Sequence, residues 1–190
     1  MIVLIGKTCS GKDTILNRLT ENYGYKKIIT YTTRPTRKNE KQDITYHFIS
    51  EEDFINKIND NFFAEYKEYN TKHGRWYYGT ALEDLEKSDD KSIIILTPDG
   101  YKDIVKKLPD KPKSIYIYAN NSTIRKRLIA RGDDRIEMQR RIEHDNADFK
   151  GVENYVDKIV YNNFGCEINE IVEKILIFLG ENKWVAKIKH

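Results

Sequence analysis

The chain alternates short apolar runs with longer segments in which apolar residues recur at helical spacing. The apolar runs predict five strands, at residues 2–5, 25–29, 92–96, 114–118 and 158–161. The periodic segments predict five helices, at residues 14–23, 100–108, 122–131, 136–149 and 167–179. Because strands and helices alternate along the chain, the pattern predicts an α/β fold with a parallel sheet between two layers of helices.

Two segments differ from this alternation. Residues 33–87 contain tyrosine-rich runs (ITYHF and RWYYG), and Ser50 followed three residues later by Asp53 predicts a capped helix start. We interpret residues 33–87 as a smaller substrate-binding module inserted into the core. Residues 125–141 are polar and rich in arginine, which suits a lid. The expected organisation is therefore a single domain over residues 1–190, with its core at 1–32, 88–124 and 142–190.

Composition narrows the class of protein. The 190 residues are 39% hydrophobic and 33% charged, as in a soluble globular protein, and 33 basic against 30 acidic residues leave a net charge of +3. This balance gives no reason to expect a nucleic-acid partner. Two distant cysteines without metal-ligand spacing indicate a reduced, cytoplasmic protein. No apolar run approaches the roughly 20 residues of a membrane span, and we expect the basic residues 183–190 to form a solvated helix end.

The first chemical motif lies near the amino terminus. Residues 6–13, GKTCSGKD, nearly match the phosphate-binding pattern G-x-x-x-x-G-K-[ST], between a predicted buried strand and a predicted helix. Backbone N–H groups, a lysine and a helix amino terminus together favour phosphate binding there. The candidate residues are Gly6, Thr8, Ser10, Gly11, Lys12, Asp13 and Thr14.

Asp13 departs from this pattern, because a serine or threonine usually occupies its position. A carboxylate is a good hard-oxygen ligand for Mg²⁺, but it repels phosphate unless the metal lies between them. The site is therefore a working site with an altered metal ligand, an inactive relic or a chance match. Thr14 is a further candidate hydroxyl.

Later blocks, taken in order, resemble the guanylate kinases. The family patterns T-T-R-x-x-R, D-Y-x-F-V-S-x-x-E-F, G-N-Y-Y-G-[ST], R-L-x-x-R-G and V-I-V-N-D correspond to residues 32–37, 46–54, 75–80, 127–132 and 159–163. This resemblance implies a P-loop core with ATP as phosphoryl donor, Mg²⁺ as cofactor, and phosphorylation of GMP or dGMP. The ordered set of matches argues against a chance agreement at the phosphate loop.

The resemblance also implies an acceptor site. Arg34 and Arg37 form a paired cationic fork suited to a monophosphate dianion, which Tyr46 and Tyr78 would complete. Thr30, Glu65 and Thr80 match positions that read guanine. Glu65 can accept hydrogen bonds from the N1–H and exocyclic amine that distinguish guanine from adenine. Glu68 remains a rival, because the segment up to Tyr78 is longer than the family pattern.

The chain departs from the family at a strand end. Where guanylate kinases have D-x-D-x-Q-G, Ile95 replaces the aspartate near the metal and Thr97 replaces the aspartate that helps to read the base. We hypothesise that Asp13 supplies the missing charge at the metal. Asp99 is a second possible replacement, although its position also suits a helix start.

The lid and the last strand complete the expected site. By resemblance Arg131 and Arg141 contact ATP or the bridging phosphates, and Arg135 joins them on position and charge. Asn162, at a strand's carboxyl end, is expected near adenine. Two other functions remain: a kinase of the same fold with a different nucleoside monophosphate or a ribosyl phosphate as acceptor, and a non-catalytic phosphopeptide-binding module. Retention of Lys12 and the lid arginines favours an enzyme, whereas oligomeric state is not predicted.

Overall fold

The computed structural model describes residues 1–71 and 74–181. Its strands are β1 (Ile2–Ile5), β2 (Lys26–Lys27), β3 (Tyr31–Thr32), β4 (His47–Phe48), β5 (Phe63–Thr71), β6 (Gly74–Ala81), β7 (Ser92–Leu96), β8 (Lys113–Tyr118) and β9 (Lys158–Tyr161). Its helices are α1 (Lys12–Tyr23), α2 (Glu51–Asn59), α3 (Leu82–Glu86), α4 (Pro98–Lys107), α5 (Asn121–Arg131), α6 (Arg135–Asp148) and α7 (Ile168–Phe178). The prediction for residues 183–190 lies outside the described residues.

A parallel sheet of order β2-β7-β1-β8-β9 forms the centre of the molecule. All four residues of β1 are buried, as expected of a strand that is covered on both faces. One face packs against α1 and α7 through side chains such as Leu19 and Ile175, and the other packs against α4 through Ile104. This arrangement confirms the predicted α/β fold with helices on both sides of a parallel sheet.

Helix boundaries differ from the predictions by one or two residues for identifiable reasons. The helix α1 starts at Lys12, because Gly11 adopts a left-handed conformation and serves as its N-cap. The helix α4 starts at Pro98, because the Thr97 hydroxyl accepts a hydrogen bond from the Gly100 N–H. The strand predicted at 25–29 is limited to Lys26–Lys27, since the chain then crosses to a second sheet.

The second sheet has the order β4-β3-β6-β5 and packs against α2. Phe54, Phe63 and Tyr77 form the centre of this contact, and Ser50 caps α2 by accepting a hydrogen bond from the Asp53 N–H. This sheet begins at Tyr31, two residues before the expected module boundary at residue 33. In its β5–β6 hairpin, residue 65 lies opposite residue 80 and residue 67 lies opposite residue 78.

The arginine-rich segment forms parts of two helices. The helix α5 ends at Gly132, which adopts a left-handed conformation, and Asp134 caps the start of α6. Leu128 of α5 packs against Met138 and Ile142 of α6. The two helices therefore carry the arginines on one packed unit. Among the described residues, no helix has the length and apolar character needed to cross a membrane.

Candidate active site

The phosphate loop joins β1 to α1 and surrounds the Lys12 ammonium. Lys12 Nζ donates to the carbonyl oxygens of Gly6 at 2.5 Å and Lys7 at 2.8 Å. Burial lowers the pKa of Lys12, while the nearby carboxylates of Asp13 and Asp145 oppose that shift. A Cβ at Gly6 would lie 2.5 Å from Ser10 Oγ, so close packing of the loop requires glycine there.

Asn162 and Arg127 hold this loop from outside. Asn162 Nδ2 donates to the Ser10 carbonyl at 2.8 Å, and Asn162 Oδ1 accepts from Arg127 Nη2 at 3.0 Å. Arg127 Nη1 also donates to the Cys9 carbonyl at 3.1 Å. Both polar atoms of Asn162 therefore bind protein groups, which differs from the expected approach to adenine. Gly11 permits this contact, because a Cβ there would lie 2.2 Å from Asn162 Nδ2.

A carboxylate of α6 contacts the loop from the opposite side. The Thr8 N–H donates to Asp145 Oδ2 at 2.6 Å, and Lys7 Nζ donates to the neighbouring Asn146 Oδ1 at 2.5 Å. Burial raises the pKa of Asp145, whereas the Thr8 N–H and Lys12 act in the opposite direction. Asp145 is not among the site residues predicted from the sequence. Its spacing of four residues from Arg141 places both residues on one helix face, which was the available signal.

Two cavities open on either side of Lys12, with volumes of about 400 and 410 Å³. Both volumes lie within the range of small-molecule sites. The first, which we call the acceptor cavity, includes Thr30, Arg37, Tyr46, Glu65, Lys67, Tyr78, Ile95 and Thr97 among its lining residues. The second, the donor cavity, includes Gly11, Thr14, Arg127 and Asn162. Cys9, Lys12, Asp13 and Arg131 line both cavities.

Glu65 lies at one end of the acceptor cavity. Its Oε1 accepts a hydrogen bond of 2.5 Å from the Thr80 hydroxyl, and its Oε2 lies 2.9 Å from where a Cβ on Gly100 would be. Burial raises the pKa of Glu65 to about 7, although the Thr80 hydrogen bond opposes the shift. Glu68 is exposed and lies outside both cavities, so the geometry favours Glu65. Thr97 lines the cavity while its hydroxyl caps α4.

Near the other end of the acceptor cavity, Arg34 and Arg37 lie in different environments. Arg34 is 4% exposed; its Nη1 and Nη2 donate to Glu40 at 2.8 and 2.7 Å, and its Nε donates to the Tyr78 hydroxyl at 3.0 Å. Arg37, Tyr46 and Tyr78 line the cavity, whereas Arg34 does not. The expected fork of two equivalent arginines is therefore absent from this structure, because Glu40 already binds Arg34 in bidentate fashion.

The lid arginines also differ in whether they line the two cavities. Arg131 lines both cavities and forms an ion pair with Asp133, and Arg141 lines the acceptor cavity with its Nε 2.8 Å from Glu137 Oε1. Arg140 lines the acceptor cavity as well. Arg135 is exposed and lines neither cavity, contrary to expectation. At 3.6 residues per turn, the six positions between Arg135 and Arg141 put them on different faces of α6.

Asp13 is the expected metal ligand. Its carboxylate is exposed in the first turn of α1, lines both cavities and has no hydrogen-bond partner among residues 1–71 and 74–181. Within those residues no three His, Cys, Asp or Glu side chains cluster as a metal site. Mg²⁺ is commonly held by one or two carboxylates together with water and substrate phosphates, so Asp13 fits this role. Asp99 binds Lys67 and Lys102 and lines neither cavity, which argues against it as the replacement.

The chain matches one protein family over most of its length. The family model for guanylate kinase matches residues 1–181. The chain belongs to the guanylate kinase family. Over 184 residues it is 30% identical to a guanylate kinase of Campylobacter jejuni strain RM1221, covering 93% of this chain and 87% of the relative. It is 33% identical over 170 residues to a guanylate kinase of Sulfurimonas denitrificans, covering 86% of this chain and 80% of the relative.

A solved structure shows the same fold. The guanylate kinase of Anaplasma phagocytophilum superposes with a TM-score of 0.71 at 23% identity, covering 96% of this chain and 85% of that one. As a member of this family, the protein described here is a nucleoside monophosphate kinase. ATP is the phosphoryl donor in the family, and Mg²⁺ is generally its cofactor.

Proposed function

We propose that this protein transfers the γ-phosphoryl group of ATP to GMP or dGMP, forming ADP and GDP or dGDP. The observation that carries the proposal is that the donor and acceptor cavities share Lys12, Asp13 and Arg131. ATP in the donor cavity and a monophosphate in the acceptor cavity would meet at these residues. Phosphoryl transfer depends mainly on such positioning and on neutralising the charge that moves.

On this proposal the acceptor lies along the β5–β6 hairpin. Glu65 accepts hydrogen bonds from N1–H and the exocyclic amine of guanine, while Thr80 orients the carboxylate through its 2.5 Å hydrogen bond. Thr30 and Thr97, which line the same cavity, offer hydroxyls to the remaining polar edge of the base. Paired donors on guanine and a carboxylate acceptor favour guanine over adenine, even though Thr97 replaces an aspartate.

The acceptor phosphate occupies the other end of this cavity. Arg37, Tyr46 and Tyr78 would bind its oxygens, and Arg34 acts through Tyr78, whose hydroxyl it holds. The phosphate oxygen that attacks is already ionised near neutral pH, so the transfer needs no general base.

The groups between the cavities stabilise the transferring phosphoryl group. Lys12 would exchange its backbone carbonyl partners for phosphate oxygens, and Arg131 and Arg141 would exchange their carboxylate partners for the same charge. Arg135 is not assigned to this group, because it lines neither cavity in this structure. Exclusion of water follows when both substrates fill the cavities and the lid helices close over them.

Asp13 would contribute to the Mg²⁺ site from the phosphate-loop side. The metal, when bound with ATP, neutralises charge on the donor phosphates. We expect Asp13→Asn to lose most of the increase in ATP affinity that Mg²⁺ gives, measured by calorimetry with and without Mg²⁺. If Asp13→Asn and Asp13→Ser both keep the Mg²⁺ dependence of ATP binding and the turnover of the unmodified protein, Asp13 has no part in the metal site.

The acceptor is tested by ADP release with ATP and Mg²⁺ against a panel of monophosphates. The panel contains GMP, dGMP, AMP, CMP, UMP and ribose 5-phosphate. We expect GMP and dGMP to give the highest kcat/KM, because Glu65 faces the base end of the cavity. Equal inactivity with every acceptor would contradict a kinase, whereas preference for another monophosphate would reassign the base while keeping the reaction.

A further inference from the structure

Lys67 is a cation of the acceptor cavity that lies outside the sequence blocks of the family. It follows Glu65 by two residues on β5, so both side chains point to the same face of the sheet. In the hairpin register Glu65 lies opposite Thr80 and Lys67 lies opposite Tyr78. Because Thr80 belongs to the base end and Tyr78 to the phosphate end, the register places Lys67 toward the phosphate.

The Lys67 side chain is held loosely by two carboxylates. Its Nζ lies 3.2 Å from Asp99 Oδ2 on α4 and 3.5 Å from Asp148 Oδ2 on α6, and the side chain is 27% exposed. An ammonium group has three donors, so a third remains to face the cavity that Lys67 lines. Partly exposed ion pairs of this length contribute little free energy, which lets an incoming anion compete for the ammonium.

The charge of the acceptor phosphate explains why a second cation would be needed in this cavity. A nucleoside monophosphate carries close to two negative charges at neutral pH, and Glu40 has already neutralised Arg34. Arg37 then provides one positive charge from the arginine pair. Lys27 also lines the cavity, but its ammonium donates to the carbonyl oxygens of Thr45 at 2.5 Å and Ile44 at 3.4 Å.

We propose that Lys67 binds the phosphate of the acceptor, opposite Arg37, as the second cation of that subsite. The inference rests on the proposed function, since it names a residue of the same acceptor site. Binding would draw Lys67 away from Asp99 and Asp148 without breaking the hairpin that presents it. The residue is a binding residue, so its loss should affect the acceptor far more than ATP.

The test compares GMP with guanosine, which lacks the phosphate. Calorimetry is done at about pH 8.5, where Glu65, with its pKa of about 7, stays ionised. Under these conditions Lys67→Met should show GMP affinity reduced about tenfold or more, as expected for a lost charge-assisted hydrogen bond, with guanosine and ATP affinities unchanged. Lys67→Arg should retain most GMP affinity. Lys102→Met is the matched control, because Lys102 also pairs with Asp99 but lies outside the cavity, and it should bind GMP normally. Thermal unfolding of each variant verifies the fold.

Several results would overturn the inference. Unchanged GMP affinity in Lys67→Met would make Lys67 a surface ion pair, and equal losses for GMP and guanosine would place its contact on the base or ribose. A phosphate-dependent loss in Lys27→Met together with none in Lys67→Met would assign the second cation to Lys27. If the unmodified protein binds ATP but no nucleoside monophosphate, the proposed function fails first, and that result is distinct from a failure of Lys67.

Discussion

The two ends of the candidate active site are built from different parts of the chain. The phosphate loop uses backbone groups: its carbonyls accept hydrogen bonds from Lys12, Arg127 and Asn162, and its Thr8 N–H donates to Asp145. The acceptor cavity instead uses side chains that neighbouring strands bring together, such as Glu65 with Thr80. The donor end therefore depends on backbone conformation, and the acceptor end depends on strand register and side-chain pairing.

This difference predicts two kinds of sensitivity. A change in the backbone of the loop displaces several phosphate-binding groups at once, since they belong to one continuous turn. A change in the acceptor cavity removes one contact and leaves its neighbours in place, except where a buried ion pair is broken. Substitutions at matched positions can separate these cases.

Gly11→Ala should have the largest effect. Gly11 has φ of 97° and its Cβ would lie 2.2 Å from Asn162 Nδ2, so alanine is strained and also displaces the group that holds the loop. We expect ATP affinity to fall on the order of 100-fold, equivalent to about 3 kcal/mol, in calorimetric titrations. GMP binding should be less affected, since Gly11 lines the donor cavity but not the acceptor cavity.

Gly24→Ala is the matched control for backbone strain. Gly24 has φ of 72° at the end of α1, with no atom within 4 Å of an added Cβ. It should lower the free energy of unfolding by about 1 kcal/mol and leave ATP affinity unchanged. If Gly11→Ala and Gly24→Ala weakened ATP binding equally, the contact between Gly11 and Asn162 would have no special role.

Arg34→Ala and Arg37→Ala should differ in kind. Arg34 and Glu40 have side chains that are 3% and 15% exposed, so removing Arg34 leaves a largely buried carboxylate with only the Arg37 N–H as donor and lowers stability by roughly 3 kcal/mol. Arg37→Ala should keep its melting temperature and raise the KM for GMP at least about tenfold through a lost charged hydrogen bond. Equal melting temperatures for the two variants would contradict the separation of roles, as would an effect on the KM for ATP alone.

The donor end was the more predictable of the two from sequence. Motif spacing predicted the loop residues and the helix that follows them, because a backbone site of this kind requires glycines and a lysine at fixed spacing, here Gly6, Gly11 and Lys12. The different environments of Arg34 and Arg37 were not predicted, because Glu40, six residues from Arg34, binds it across a loop that has no periodic sequence pattern. Lys67 and Asp145 were missed because each reaches the site through strand register or helix rotation, which a single sequence does not specify.

Glu65 should make acceptor binding depend on pH. Its pKa is raised to about 7 by burial, and the ionised form accepts the two guanine donors, so guanosine affinity should rise as pH increases through 7. At pH 6 about one tenth of the carboxylate is ionised, and affinity should be about tenfold below its high-pH limit. Guanosine is used because the GMP phosphate itself titrates nearby. Glu65→Gln should bind weakly at every pH; a pH profile like that of the unmodified protein would contradict this role.

The raised pKa of Glu65 also determines how the free energy of unfolding changes with pH. The folded protein holds the Glu65 proton more tightly than the unfolded chain, whose pKa is near 4.5. Stability from this group is therefore present below about pH 4.5 and is lost as pH rises to about 7, by up to about 3 kcal/mol. Relative to Glu65→Gln, the unmodified protein should lose free energy of unfolding across this range in urea titrations. A constant difference between the two proteins would show that Glu65 titrates normally.

Asp145→Asn should have the smallest effect. It tests how a single negative charge beside the phosphate loop affects ATP affinity. Asparagine keeps an oxygen that can accept from the Thr8 N–H, but it removes a negative charge near Lys12 that the ATP phosphates meet. We expect ATP measured without Mg²⁺ to bind about fivefold more tightly, corresponding to about 1 kcal/mol of relieved repulsion. The matched control is Asp103→Asn, at an exposed ion pair on α4 outside both cavities, which should not change ATP affinity. Weaker ATP binding in Asp145→Asn would instead mean that the charge orders the loop, because the remaining hydrogen bond would then be too weak to hold Thr8 in place.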